Sequence, residues 1–182
     1  PETDLVVTGA GSRFETTGEL AITNSAANAA RGSITIADGG VVKVGGGALA
    51  MGPGNAVLNI GAAAGGSPAH AGTLDAGTVT MAVGSNQINF NHDDASTTFS
   101  ATISGAGSVS QNGPGATLLT GNNSYAGLTT VTAGSLYIDG DQSMATGLTT
   151  VNPGGTLGGT GTIGGDVTVA SGGAINPGSF GM

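Results

Sequence analysis

Along most of the chain, short runs alternate apolar and polar residues. Ile34 and Ile36 flank Thr35, Val42 and Val44 flank Lys43, Ile88 and Phe90 flank Asn89, and Leu136 and Ile138 flank Tyr137. A period of two turns successive side chains to opposite faces, the mark of a half-buried strand. The pattern points Val131, Leu136, Ile138 and Val151 inward and Lys43 and Tyr137 outward. Gly-rich corners separate the runs, and two segments break the rhythm. Asn24–Ala30 is expected as a loop or a single helical turn, and Ala62–Ala71 as a surface loop.

The runs repeat. Gly127-Leu128-Thr129-Thr130-Val131 recurs letter for letter as Gly147-Leu148-Thr149-Thr150-Val151, and more loosely as Gly165-Asp166-Val167-Thr168-Val169. Each copy is followed by a Gly-containing turn and another apolar position: Leu136, Leu157 and Ile175. Short strands in a unit of about 20 residues describe one coil of a parallel β-helix. Val131, Val151 and Val169 should then stack on adjacent coils, as should Leu136, Leu157 and Ile175. At about 20 residues and about 4.8 Å per coil, 182 residues make about nine coils and a rod about 40 Å long. The chain is read as one domain, with residues 1–71 less regular and residues 72–182 carrying the clear repeats. A sandwich of antiparallel hairpins would use Asp38-Gly39, Asn112-Gly113 and Asp139-Gly140 as turns, but the intervening strands are too short for it.

Composition narrows the picture. The chain has 37 Gly, 6 Pro and only 8% charged residues, and Leu, Ile, Val and Phe make up about a fifth of it. So much Gly, costing roughly 1 kcal/mol per helix-interior position, excludes a helical bundle. So little charge argues against an extended acidic tail. Arg13, Arg31 and Lys43 are the three basic residues against a net charge of −8. Nucleic acid is therefore not an expected partner, nor is an anionic membrane surface. There is no Cys, and no apolar run approaches the roughly 18 residues of a membrane-spanning helix. The opening Pro1-Glu2-Thr3-Asp4 suggests a piece of a longer polypeptide.

From Gly72 onward the residues resemble the passenger region of Gram-negative autotransporters (type V secretion). The passenger repeat runs Gly-x-Gly, an apolar strand, then Leu-Thr-Gly-x-Asn-x-Tyr-x-Gly-x-Thr-x-Val-x-x-Gly-x-Leu. It is matched by Gly105-Ala106-Gly107-Ser108-Val109, then Leu119-Thr120-Gly121-Asn122-Asn123-Ser124-Tyr125-Ala126-Gly127-Leu128-Thr129-Thr130-Val131, then Gly134-Ser135-Leu136. Ile88–Asp93, Phe99 and Ile103-Ser104-Gly105 are also similar to passenger segments. The resemblance implies a right-handed β-helix at the bacterial cell surface or secreted, continuing covalently into an outer-membrane β-barrel. It implies a non-enzymatic adhesive or aggregating stalk, whose partner is a host surface or matrix molecule or a second cell. The alternative is a structural spacer, or a folding-promoting segment, for a functional domain upstream.

Motif matches elsewhere have duller explanations. Gly159-Thr160-Gly161-Thr162-Ile163-Gly164 fits G-x-G-x-x-G, but a strand follows where a dinucleotide site needs a helix. Gly158–Thr162 begins like a Ca²⁺-binding nonapeptide, with Ile163 where the Asp belongs. Thr129-Thr130, Thr149-Thr150 and Thr168 are too short a rank for an ice-binding face. Asp139 and Asp141 are a close acidic pair without a nearby base. Asn91-His92-Asp93-Asp94 is the densest polar cluster. Neighbours on a strand point apart and no second His is close in sequence, so a solvated turn is expected rather than a metal site. No residue is assigned a catalytic, cofactor-binding or metal-ligating role, and no cofactor is expected.

Overall fold

The computed structural model describes residues 3–22 and 31–181. The expected Asn24–Ala30 loop lies outside the described residues. The described residues contain no helix, and every strand-to-strand pairing among them is parallel. Antiparallel partners meet only at the isolated bridges Ala37–Ala71 and Gly159–Gly178, so the hairpin sandwich is excluded.

Each strand pairs with the strand three places on, which is the order of a parallel β-helix with three strands per coil. The longest sheet stacks Thr3–Thr8, Arg31–Ala37, Asn55–Gly61, Gln87–Asn91, Ser108–Gln111, Thr129–Val131, Thr149–Val151 and Val167–Val169. A second sheet stacks Leu20–Ile22, Ala48–Met51, Thr78–Met81, Thr102–Gly105 and Ser124–Tyr125. The third side is split. Arg13–Thr16, Val41–Val44 and Thr73–Asp75 form one ladder; Thr97–Phe99, Ala116–Leu119, Gly134–Ile138, Gly155–Gly159 and Ala174–Pro177 form another.

The long sheet has eight rungs, against the nine of a uniform 20-residue unit. Partners Ser110–Thr130 and Thr130–Thr150 are 20 residues apart, but Val6–Thr35 are 29 apart and Asn59–Asn89 are 30 apart. The early coils are longer because they carry insertions between strands, the largest being the segment around Ala62–Ala71.

Two inner columns run the length of the long sheet. One reads Leu5, Ile34, Leu58, Ile88, Val109, Thr129, Thr149, Val167; the other reads Val7, Ile36, Ile60, Phe90, Gln111, Val131, Val151, Val169. They meet Leu49, Val79 and Ile103 from the second sheet and Leu119, Leu136 and Leu157 from the third in one core. Phe90 and Phe99 pack there edge to face, with centroids 5.2 Å apart. Both expected stacks are present: Val131–Val151–Val169 and Leu136–Leu157–Ile175 are in register. In the last coil Val169 and Ile175 are 39% and 54% exposed, since no further strand covers them.

The Gly of the repeated pentapeptide is explained by stacking. A Cβ on Gly127, Gly147 or Gly165 would fall 2.2, 1.9 and 2.1 Å from the carbonyl oxygen of Gly107, Gly127 and Gly147 respectively. At these three coils the corner passes so close to the preceding one that only a hydrogen fits.

Lys43 is exposed, as expected, and faces Asp75 at 3.5 Å. Tyr137 is a correction: it lies on the outer face, but is only 6% exposed. The ring of Phe180 packs edge-on against it at 5.2 Å, and its own neighbour on the next rung, Gly158, has no side chain to push it away.

Val151 has no exposed surface and sits between Val131 and Val169. Val151→Asp is expected to cost about 3–5 kcal/mol by leaving an unpaired charge in a dry column. Thr150→Asp, one residue along on the outer face, should cost under about 1 kcal/mol. Thermal melts of the two variants check this: equal melting temperatures would rule out the assigned facing.

Candidate functional site

Two features stand out from the corners and strands. The first is the outer face of the long sheet. Its central column reads Val6, Thr35, Asn59, Asn89, Ser110, Thr130, Thr150, Thr168, polar at every rung after the first. In the middle of the rod it is knitted together: Asn59 Nδ2 donates to Thr35 Oγ1 (3.1 Å), and Asn89 Nδ2 to Asn59 Oδ1 (2.9 Å). Asn112 Nδ2 in turn donates to Asn89 Oδ1 (2.6 Å).

The Ala62–Ala71 loop folds over this middle stretch. Asn89 donates to the Ala62 carbonyl, and Asn91 to those of Ala63 and Gly66. The loop is a surface loop, as expected, with residues 63–68 exposed. Beyond it, Thr130, Thr150 and Thr168 form a shorter, uncovered rank. Their companions Thr129 and Thr149 point inward and are buried, where Tyr125 Oη lies 2.7 Å from Thr129 Oγ1.

The second feature lies where the third side of the rod is split. No strand pairing joins Thr73–Asp75 to Thr97–Phe99. Into this gap the chain places His70, His92, Asp93 and Asp94. The expected solvated turn after Phe90 is corrected here. The strand runs on to Asn91, and both Asn91 and His92 are buried, His92 completely. Asn91 is covered by the loop; His92 is held by Thr117, whose Oγ1 is 2.9 Å from its Nε2.

The proton on that ring can be assigned. Gln111 Nε2 donates to the carbonyls of Gly113 (2.9 Å) and Gly115 (3.1 Å), so its Oε1 is an acceptor. Thr117 donates its hydroxyl proton to that Oε1 at 2.6 Å, and must therefore accept from His92 Nε2–H. His92 Nδ1 is left buried without a hydrogen-bond partner, 3.6 Å from Asp94 Oδ2. Burial pushes the His92 pKa below its ordinary value, against the opposing pull of Asp94 and Asp93.

His70 reaches the same place because Ala69 bridges to His92 across the coils. Its Nδ1 lies 3.0 Å from Asp93 Oδ1 and 3.1 Å from Asp94 Oδ1. Asp94 Oδ2 accepts from the Ala71 amide at 2.6 Å. Sequence spacing hides this meeting, since His70 belongs to the Ala62–Ala71 loop and His92 follows the strand Gln87–Asn91 a coil later.

The other acidic pair is spent on corners. Asp139 Oδ1 accepts from the amide and hydroxyl of Thr160, and Asp141 Oδ1 from the amide of Ser143. The Ser143 hydrogen bonds hold the Asp141 carboxyl below its ordinary value. The Gly159–Gly164 run forms the end of one strand, the short strand Thr162–Ile163 and the corners beside it.

No protein-family model and no solved structure matches the chain.

The lowered His92 pKa has a consequence for stability. As pH falls below 6.5, the ordinary value, the unfolded chain takes up a proton that the folded chain still refuses. Stability should therefore decline from about pH 6.5 downward until the folded value is passed. The Asp141 contribution is lost lower, below its ordinary 3.8. Melts between pH 7.5 and 5.5 should show a falling melting temperature, with the slope reduced in His92→Gln. A wild-type melting temperature that is flat or rises over that window would overturn the assignment.

Proposed function

We propose that the chain is a non-enzymatic rod segment of a cell-surface-displayed passenger, and that it works by adhesion or self-association along the outer face of its long sheet. The observation that carries this reading is the uncovered threonine rank Thr130, Thr150 and Thr168, which continues the polar column of the long sheet's outer face. A spacer needs only corners and a filled interior. Asn59, Asn89 and Ser110 are buried and bonded within the rod, but the three hydroxyls beyond them, at a spacing of about 4.8 Å, offer regularly placed donors and acceptors to a second surface.

The passenger repeat between Leu119 and Leu136 supports display outside the cell. The partner is a host surface or matrix molecule, or the same segment on a neighbouring cell. With three basic residues in a net charge of −8, such contacts depend on hydrogen bonding and shape rather than attraction to anionic partners. The acidic pair of the repeats is committed to structure: Asp139 fastens the next corner through Thr160, and Asp141 its own through Ser143.

Bacteria displaying the segment alone should settle or attach faster than bacteria displaying an unrelated solenoid of equal length. Thr130→Glu combined with Thr150→Glu, which adds like charge to the uncovered rank, should abolish the difference while leaving the melting temperature within a few degrees. No settling and no attachment by the unaltered segment would favour the spacer.

A further inference from the structure

The geometry points to a transition-metal site of the Zn²⁺ class in the split of the third side, formed by His70 Nδ1, Asp93 Oδ1 and the Asp94 carboxylate. These three ligand atoms all lie within 4.8 Å of one another, with His70 Nδ1 at 3.0 and 3.1 Å from the two carboxylates. Ligands held about 2.0–2.2 Å from a tetrahedral ion are about 3.4 Å apart, so the two His70–carboxylate distances need open by only a few tenths of an ångström. His70 and Asp93 are largely exposed and free to make that adjustment.

The second observation is His92. Its Nε2 is committed to Thr117, and its buried Nδ1 has no hydrogen-bond partner. That Nδ1 faces Asp94 Oδ2, itself already an acceptor from the Ala71 amide. Two acceptors thus confront each other in a buried place. A cation on Asp94 draws off the carboxylate's charge and relieves the opposition. The space beside Nδ1 is kept by Gly115, where a Cβ would fall 2.4 Å from that nitrogen.

One imidazole with two carboxylates selects a borderline ion over Ca²⁺, which requires six to eight oxygens. The fourth position faces solvent and is left to water. The location gives the ion a structural task. Thr73–Asp75 and Thr97–Phe99 are the two neighbouring strands of this side without a backbone ladder between them. An ion shared by His70 and Asp93–Asp94 would clip those coils together and pin the Ala62–Ala71 loop. This departs from the sequence expectation of a metal-free turn, because the second histidine arrives from the preceding coil.

The test is calorimetric titration of the untagged, chelator-stripped chain with ZnCl₂ and separately with CaCl₂, with thermal melts alongside. One equivalent of Zn²⁺ should bind, raise the melting temperature, and slow proteolysis within residues 62–71; Ca²⁺ should bind more weakly. His70→Ala and Asp93→Asn, both at exposed positions, should keep the metal-free melting temperature and lose at least about tenfold in Zn²⁺ affinity. Absence of stoichiometric Zn²⁺ binding, unchanged affinity in His70→Ala, or preference for Ca²⁺ would each overturn the assignment. Metal binding by the purified chain is read independently of cell adhesion, so failure of either reading leaves the other standing.

Discussion

Successive coils must lie about 4.8 Å apart, because their backbones are hydrogen-bonded to each other in a parallel ladder. Each position therefore meets its own counterpart directly above and below, and a residue is acceptable only if its neighbours in the column can pack against it. Val131, Val151 and Val169 satisfy this with branched side chains that fill the column without gaps. Gly107, Gly127, Gly147 and Gly165 satisfy it with no side chain at all. The same rule lets a chain with about a fifth of its residues Leu, Ile, Val or Phe build a core. A narrow interior needs few large side chains when the backbone ladder supplies the order.

Where backbone groups miss a ladder partner, Asn and Asp side chains supply one. Asn86 Oδ1 accepts from the Ala56 amide while its Nδ2 serves the carbonyls of Met51, Gly52 and Ala82. Asn123 Oδ1 accepts from the Ile103 amide, and Asn122 Oδ1 from that of Asp141. Each of these side chains stands in for a rung at a bend, and a buried amide without such a partner would cost roughly 1–3 kcal/mol. Asp94 does this for Ala71, at the one split in the third side. Polar residues in this rod are thus chiefly structural; Asn123 Nδ2, Gln142 Nε2 and His92 Nδ1 are buried without a partner, and the last lies 3.6 Å from Asp94 Oδ2.

The regular half of the fold could be read from the sequence because its period is constant. An identical pentapeptide at an offset of 20 puts Val131 on Val151, and Leu136 on Leu157, 21 residues on, follows from matching the apolar position after each Gly-containing turn. Facing followed from alternation for Ile138 and Lys43. It failed to give burial for Tyr137, because a period of two reports which side a residue is on, not what later folds over that side; Phe180 is 43 positions away. The length of the early coils was not legible, since insertions of ten residues leave no mark on the strands either side. The histidine cluster was hidden for the same reason.

Those insertions also locate function within such a rod. Asn59 and Asn89 are paired directly although 30 residues separate them, just as Ser110 and Thr130 are with 20. The ladder is indifferent to what the chain does between rungs, so an added loop costs only its closure entropy, roughly 0.6 kcal/mol per doubling of length. The 20-residue coils have no residues to spare beyond strands and corners, and the polar rank they share arises from repetition. The longer coils can hold groups that repetition cannot provide: a loop over the sheet, two histidines, adjacent carboxylates. Repetition sets the length and the face of the rod, and irregularity is where a single, non-repeating chemical site can be placed on it.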